Sequence, residues 1–148
     1  MDEEIKGIEC SLYSGRIKKL LMYLADKSYD YYISWCMKID DWHNSFPQSS
    51  QNFHISTQGL KELAQSSLWE LVLYIYPVGQ EHKIIETYSD FENSSCICCL
   101  ILYDCGLLDI YVKDANLLES IYNQLQSLQA EELRILTNRS NIRKILLP

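Results

Sequence analysis

The stretch Cys96-Ile97-Cys98-Cys99-Leu100-Ile101-Leu102-Tyr103-Asp104-Cys105-Gly106-Leu107-Leu108-Asp109-Ile110-Tyr111-Val112 constrains the fold most. Two extended apolar runs meet at Asp-Cys-Gly, which reads as a β-hairpin in the buried middle of a sheet. Gly106 is expected to supply the positive φ of the turn. Four of the six cysteines fall within this stretch.

The flanking segments supply what such a hairpin needs for neighbours. Ile17, Leu20, Leu21 and Leu24 recur at i, i+3, i+4, i+7 and predict a helix over 14–26, after a short strand at 5–10. From Tyr29 to Ile39 the period becomes two, with Tyr29, Tyr31, Ile33, Trp35, Met37 and Ile39 on one face and Asp30, Ser34, Cys36 and Lys38 on the other. A short strand around 53–55 precedes a helix capped by Ser56 that buries Leu60, Leu63 and Ala64. Residues 69–78 are apolar on both faces, as in a central strand covered on both sides and ended at Pro77. A helical turn is expected over 87–93. Asp114 caps a last helix with the stripe Leu117, Leu118, Ile121, Tyr122, Leu125 and Leu128. Final strands are expected at 132–137 and 142–147, the latter with a short helix as its alternative. A chain of 148 residues without repeat or linker makes one domain. The expected class is α+β, a single domain with a mostly antiparallel sheet of about five to seven strands and two or three packed helices.

Charge narrows the partners. The net charge of −7 opposes nucleic-acid binding, which depends on Lys and Arg neutralising phosphates. Arg134, Arg139, Arg143 and Lys144 are too few to make such a face, and a solvated surface is the plainer reading. The acidic start, Asp2-Glu3-Glu4, has no apolar leader behind it, and no apolar run reaches the length of a membrane span. The expected setting is the cytoplasm, where cysteines stay reduced. Asn93-Ser94-Ser95 and Asn138-Arg139-Ser140 match the glycosylation pattern, which then has no consequence.

No motif enforces a particular chemistry. Cys96 and Cys99 form a C-x-x-C, as in zinc knuckles and thiol oxidoreductases, with Cys98 between them. In an extended strand Cys96 and Cys98 share a face and Cys99 points away, so the three sulfurs do not converge; buried packing is the better reading. Cys105 could be exposed in the turn, but His43, His54 and His82 lie far from it in sequence and no base is evident. Asp40, Asp41, Trp42 and His43 could bind a divalent ion or act as an acid–base pair, although Asp and Asn also belong in turns. Eleven tyrosines in a small acidic chain suggest a contact surface, with Tyr32, Trp42, Tyr74 and Tyr76 as its candidates, against the alternative of half-buried strand packing. No cofactor and no metal is called for.

Thr87-Tyr88-Ser89-Asp90-Phe91-Glu92-Asn93-Ser94-Ser95-Cys96, then Tyr103-Asp104-Cys105, then Asp109-Ile110-Tyr111-Val112-Lys113-Asp114 resemble a domain-of-unknown-function family of Gram-positive bacteria. The likeness is best over 85–114, and Tyr31-Tyr32-Ile33-Ser34-Trp35 echoes an aromatic early strand. It implies no activity and transfers no functional residue.

The leading functional expectation is a small cytosolic non-catalytic module, immunity-like or regulatory, that binds a protein partner through an acidic, tyrosine-rich surface built from Tyr32, Asp40, Asp41, Trp42, His43, Tyr74 and Tyr76. The rival is an enzyme or small-ligand binder assembled from loop residues such as Asp40, Asp41, His43 and Cys105. A self-associating structural subunit is a third, and the oligomeric state is left open.

Overall fold

The computed structural model describes residues 4–38 and 52–148. The elements in chain order are β1 (Ile5–Ser11), α1 (Ser14–Ala25), β2 (Asp30–Lys38), β3 (Phe53–Ile55), α2 (Thr57–Ala64), β4 (Leu68–Tyr76), α3 (Tyr88–Glu92), β5 (Cys98–Tyr103), β6 (Leu107–Val112), α4 (Ala115–Ser127) and β7 (Glu131–Thr137). The strands form one sheet in the order β3-β2-β4-β5-β6-β1-β7, and every neighbouring pair is antiparallel. This is the expected α+β class. The three longer helices are the expected ones, and the helical turn expected over 87–93 is α3.

Two cores follow from the two faces. On one, α1, α2 and α4 bury Leu20, Leu24, Leu60, Ile121 and Leu125 against Leu73, Ile75, Leu100, Leu102, Leu108 and Ile110. The helix ends hold as the sequence predicts: the Ser56 side chain accepts from Gly59 N at 2.9 Å and Asp114 Oδ1 from Leu117 N at 2.8 Å. The other face carries Val72, Tyr74, Tyr76, Cys99, Ile101 and Tyr111. Among the described residues no long helix covers it. Its cover is the segment 77–97, with α3, and the C-terminal strap 138–148, whose Ile85, Phe91, Cys96 and Leu146 pack inward. A capping box fixes α3, with Thr87 Oγ1 accepting from Asp90 N and Asp90 Oδ2 accepting from Glu86 N and Thr87 N. Those backbone donors hold the Asp90 carboxyl below its usual range.

Four expectations are corrected. The hairpin turn closes through Gly106 N donating to Tyr103 O, but the left-handed residues are Asp104 (φ 48°) and Cys105 (φ 51°). Two consecutive positive φ values match the right-handed twist of the flanking strands, as in a type I′ turn. Gly106 instead serves a close approach, since its carbonyl accepts from Leu12 N at 2.6 Å. In β2 the register against β4 slips between Ile33 and Trp35, so Cys36 joins Tyr31 and Ile33 in the helix-covered core while Trp35 joins Tyr32 on the opposite face. One extra residue in a strand reverses every side chain after it. Cys96 lies before β5 begins and packs with Cys99, not Cys98. Residues 142–147 form neither strand nor helix; they carry one bridge, Ile145 to Thr87.

Candidate functional site

The strand register lays a polar row across the loop-covered face. Arg134 (β7) stands opposite Glu9 (β1), Glu9 opposite Asp109 (β6), and Asp109 opposite Ile101 (β5). Two carboxylates therefore sit side by side on neighbouring strands, where like charges repel unless each finds a cation. Glu9 Oε1 pairs with Arg134 Nε at 2.9 Å, and Asp109 Oδ2 accepts from Arg143 Nε at 2.6 Å.

Arg143 comes from the strap. Its guanidinium lies 4.7 Å from the centroid of the Tyr103 ring, its Nη1 donates to Leu147 O at 2.9 Å, and its backbone N donates to the Tyr111 hydroxyl at 3.1 Å. Burial, the largest single influence, lowers the Arg143 pKa, but the bond and charge of Asp109 together with Tyr103 outweigh it, and the net shift is upward. Burial also raises Tyr103 and pushes Tyr111 up to about 12, so both stay neutral phenols.

Asp109 is 7% exposed, and its Oδ1 has no hydrogen-bond partner. It lines a cavity of about 220 Å³ together with Glu9, Ser11, Tyr103, Glu132 and Arg134. That oxygen is itself buried, so it is an unsatisfied acceptor beneath the lining and is not open to the cavity. Sequence reasoning missed this site. Its signal was the single acid in the apolar run Leu107-Leu108-Asp109-Ile110-Tyr111-Val112.

Of the residues singled out from sequence, Asp40, Asp41, Trp42 and His43 lie outside the described residues. Tyr32, Tyr74 and Tyr76 do come together at the opposite end of the same face. Tyr32 stacks on His82 at 3.9 Å and meets His54 and Tyr76 edge-on at 5.2 and 5.3 Å. Tyr74 and Tyr76 are fully buried, donating to Ile85 O and Lys83 O, so they pack the core and offer no contact area. His54 and His82 gather on Tyr32. Burial, then the neighbouring His54, lowers the His82 pKa, and its Nε2 is buried without a partner.

The thiols are poorly placed for chemistry. Cys10, Cys36, Cys96, Cys98 and Cys99 are buried, and burial raises the pKa of each, Cys10 and Cys96 to about 12. Cys105 is half-exposed, and its backbone N donates to Trp69 O, which fastens the turn to β4. Among the described residues no group of three or more His, Cys, Asp or Glu is placed to hold a metal ion, and no helix is long and apolar enough to cross a membrane.

The model of a family described as protein of unknown function (DUF2691) matches residues 6–147, and the chain belongs to that family. It is also similar to the uncharacterized protein YncE of Bacillus subtilis (strain 168), at 27% identity over 74 residues, covering 50% of this chain and 48% of that protein. The chain thus aligns with about half the length of that curated relative. No solved structure matches it.

Proposed function

We propose that the chain is a small non-catalytic module of the cytoplasm, immunity-like or regulatory, that binds a basic protein partner on the loop-covered face of its sheet. The observation that carries this reading is the acidic lining of the cavity, where Glu9, Asp109 and Glu132 outnumber Arg134, in a chain of net charge −7. Such a lining attracts a cationic group, and the surrounding negative charge speeds its arrival. The burial of five cysteines supports a non-catalytic role, because a thiol held neutral is a poor nucleophile.

The test is capture from source-cell lysate with tagged wild type and with Glu9→Gln, at low and high salt. One stoichiometric partner, released by salt and depleted in Glu9→Gln, supports the reading. A clean bait at both salts moves it to a small ligand in the same cavity.

A further inference from the structure

From Val78 to Ile84 every residue is exposed except His82. The segment leaves the sheet after Tyr76, turns through Pro77 and Gly79, the latter at φ 84°, and regains the core at Ile85, which is 2% exposed. Between those ends His82 is the one side chain that packs inward, so a single ring pins the loop. Three bonds assist it: Gly79 N donates to Asp30 Oδ2 at 3.2 Å, and the hydroxyls of Ser95 and Tyr76 donate to Glu81 O and Lys83 O at 3.1 and 3.3 Å.

The ring lies flat on Tyr32, at an interplanar angle of 7°, and meets Tyr76 edge-on at 5.6 Å, while His54 meets the same Tyr32 ring from β3. Its Nε2 is buried without a partner. A protonated imidazole carries N–H on both nitrogens, so whichever tautomer the neutral ring adopts, the cation holds a charged donor at Nε2 with no acceptor. The titratable and charged groups around it are Asp30 and Tyr32 on β2, His54 on β3, Tyr76 on β4, and Glu81 and Lys83 on its own segment, and none of them bonds Nε2. Charge on His54 repels charge on His82. Attraction of the cation to the Tyr32 face opposes release but supplies no acceptor. Swinging outward gives Nε2 water at the loss of one stack and a few backbone bonds.

We propose that the loop 78–84 is a pH-sensitive latch, in which a proton on His82 lifts the loop from the sheet and bares the face of Tyr32 while the helix-covered core stays folded. Local opening is accessible because the loop buries so little. The open loop binds the proton more tightly than the closed one, so closure is favoured above pH 6.5 and weakens as pH falls through that value. The latch needs no partner and stands apart from the binding-module reading.

NMR of the full chain from pH 7.5 to 5, with a soluble nitroxide as the accessibility probe, reads the latch directly. As the His82 imidazole signals move to their charged positions, the NOE between the Tyr32 and His82 rings is expected to fall about threefold and nitroxide relaxation of the Tyr32 ring signals to rise by about the same factor, with the α4 amides unchanged. His82→Phe, which stacks without titrating, is expected to keep Tyr32 shielded at pH 5, and His54→Gln to open less than wild type. A charged His82 with its NOE intact overturns the latch, and so does a His82 that stays neutral down to pH 5. Equal exposure of Tyr32 in His82→Phe overturns it as well. Parallel loss of the α4 amide signals does the same, because the change is then global unfolding. Where a variant lacks a folded amide spectrum, the wild-type titration decides through the NOE and α4.

Discussion

One sheet, two covers: the face under α1, α2 and α4 is aliphatic and closed, whereas the face under 77–97 and 138–148 is aromatic and ends in a charged cavity. Helices satisfy their own backbone groups and so can lie flat on Leu, Ile and Val. An irregular cover must find partners for its N–H and C=O groups, and here it draws on tyrosine hydroxyls and on Leu146 N bonding to Glu86 O. Hydroxyls, carboxylates and cations therefore collect on that side, which is why the candidate site lies there. The helical side carries the aliphatic packing, and the looped side carries the candidate site.

That contrast can be broken most sharply by truncating one residue on each face. Leu100→Ala, under the helices, is expected to cost about 2–5 kcal/mol in denaturant unfolding, because packed helices cannot collapse into the void. Leu146→Ala, in the strap, is expected to cost about 1–3 kcal/mol, since an irregular segment can settle inward. Equal costs would show both covers to be equally rigid.

A smaller effect is expected at the ion pair. Arg143→Ala strands the Asp109 carboxylate and should lose about 1–3 kcal/mol, while the double change Asp109→Leu with Arg143→Met should recover most of it in a double-mutant cycle. Failure to recover would mean that the pair positions the strap through more than its charge. Tyr74→Phe removes only the hydroxyl that serves Ile85 O, at about 1 kcal/mol by thermal unfolding.

The finest difference lies in pH. His82 on the looped face has a folded pKa below its ordinary 6.5, so the unfolded chain takes up the proton first as pH falls. Stability contributed by neutral His82 is therefore present above pH 6.5 and declines as pH drops through that value toward the folded pKa. Tm measured from pH 7.5 to 5 should show this decline, and His82→Phe should flatten it. An unaltered slope in the variant would assign the decline to other groups.

Most of the fold was legible in the sequence because periodicity reports burial directly. The stripe of α4, the two-sided apolarity of β4 and the caps Ser56 and Asp114 each name their element without help from elsewhere. Where legibility failed, a local pattern had been overridden by a pairing at a distance. The slip at Ser34 exists only against β4, and it moved Trp35 and Cys36 to faces that simple alternation denies them. The strap looked like a strand because Ile142, Leu146 and Leu147 are apolar, but it lies over the second face instead of joining the sheet.

The sequence by itself determined the class, the hairpin and the acidic balance, because those depend on composition and on spacing within one segment. Only the tertiary structure decided the site. Glu9, Tyr103, Asp109, Arg134 and Arg143 come from β1, β5, β6, β7 and the strap, and nothing in their local spacing brings them together. Register between β1 and β6 sets Glu9 beside Asp109, and the strap's path delivers Arg143 to one carboxylate oxygen while leaving the other without a partner.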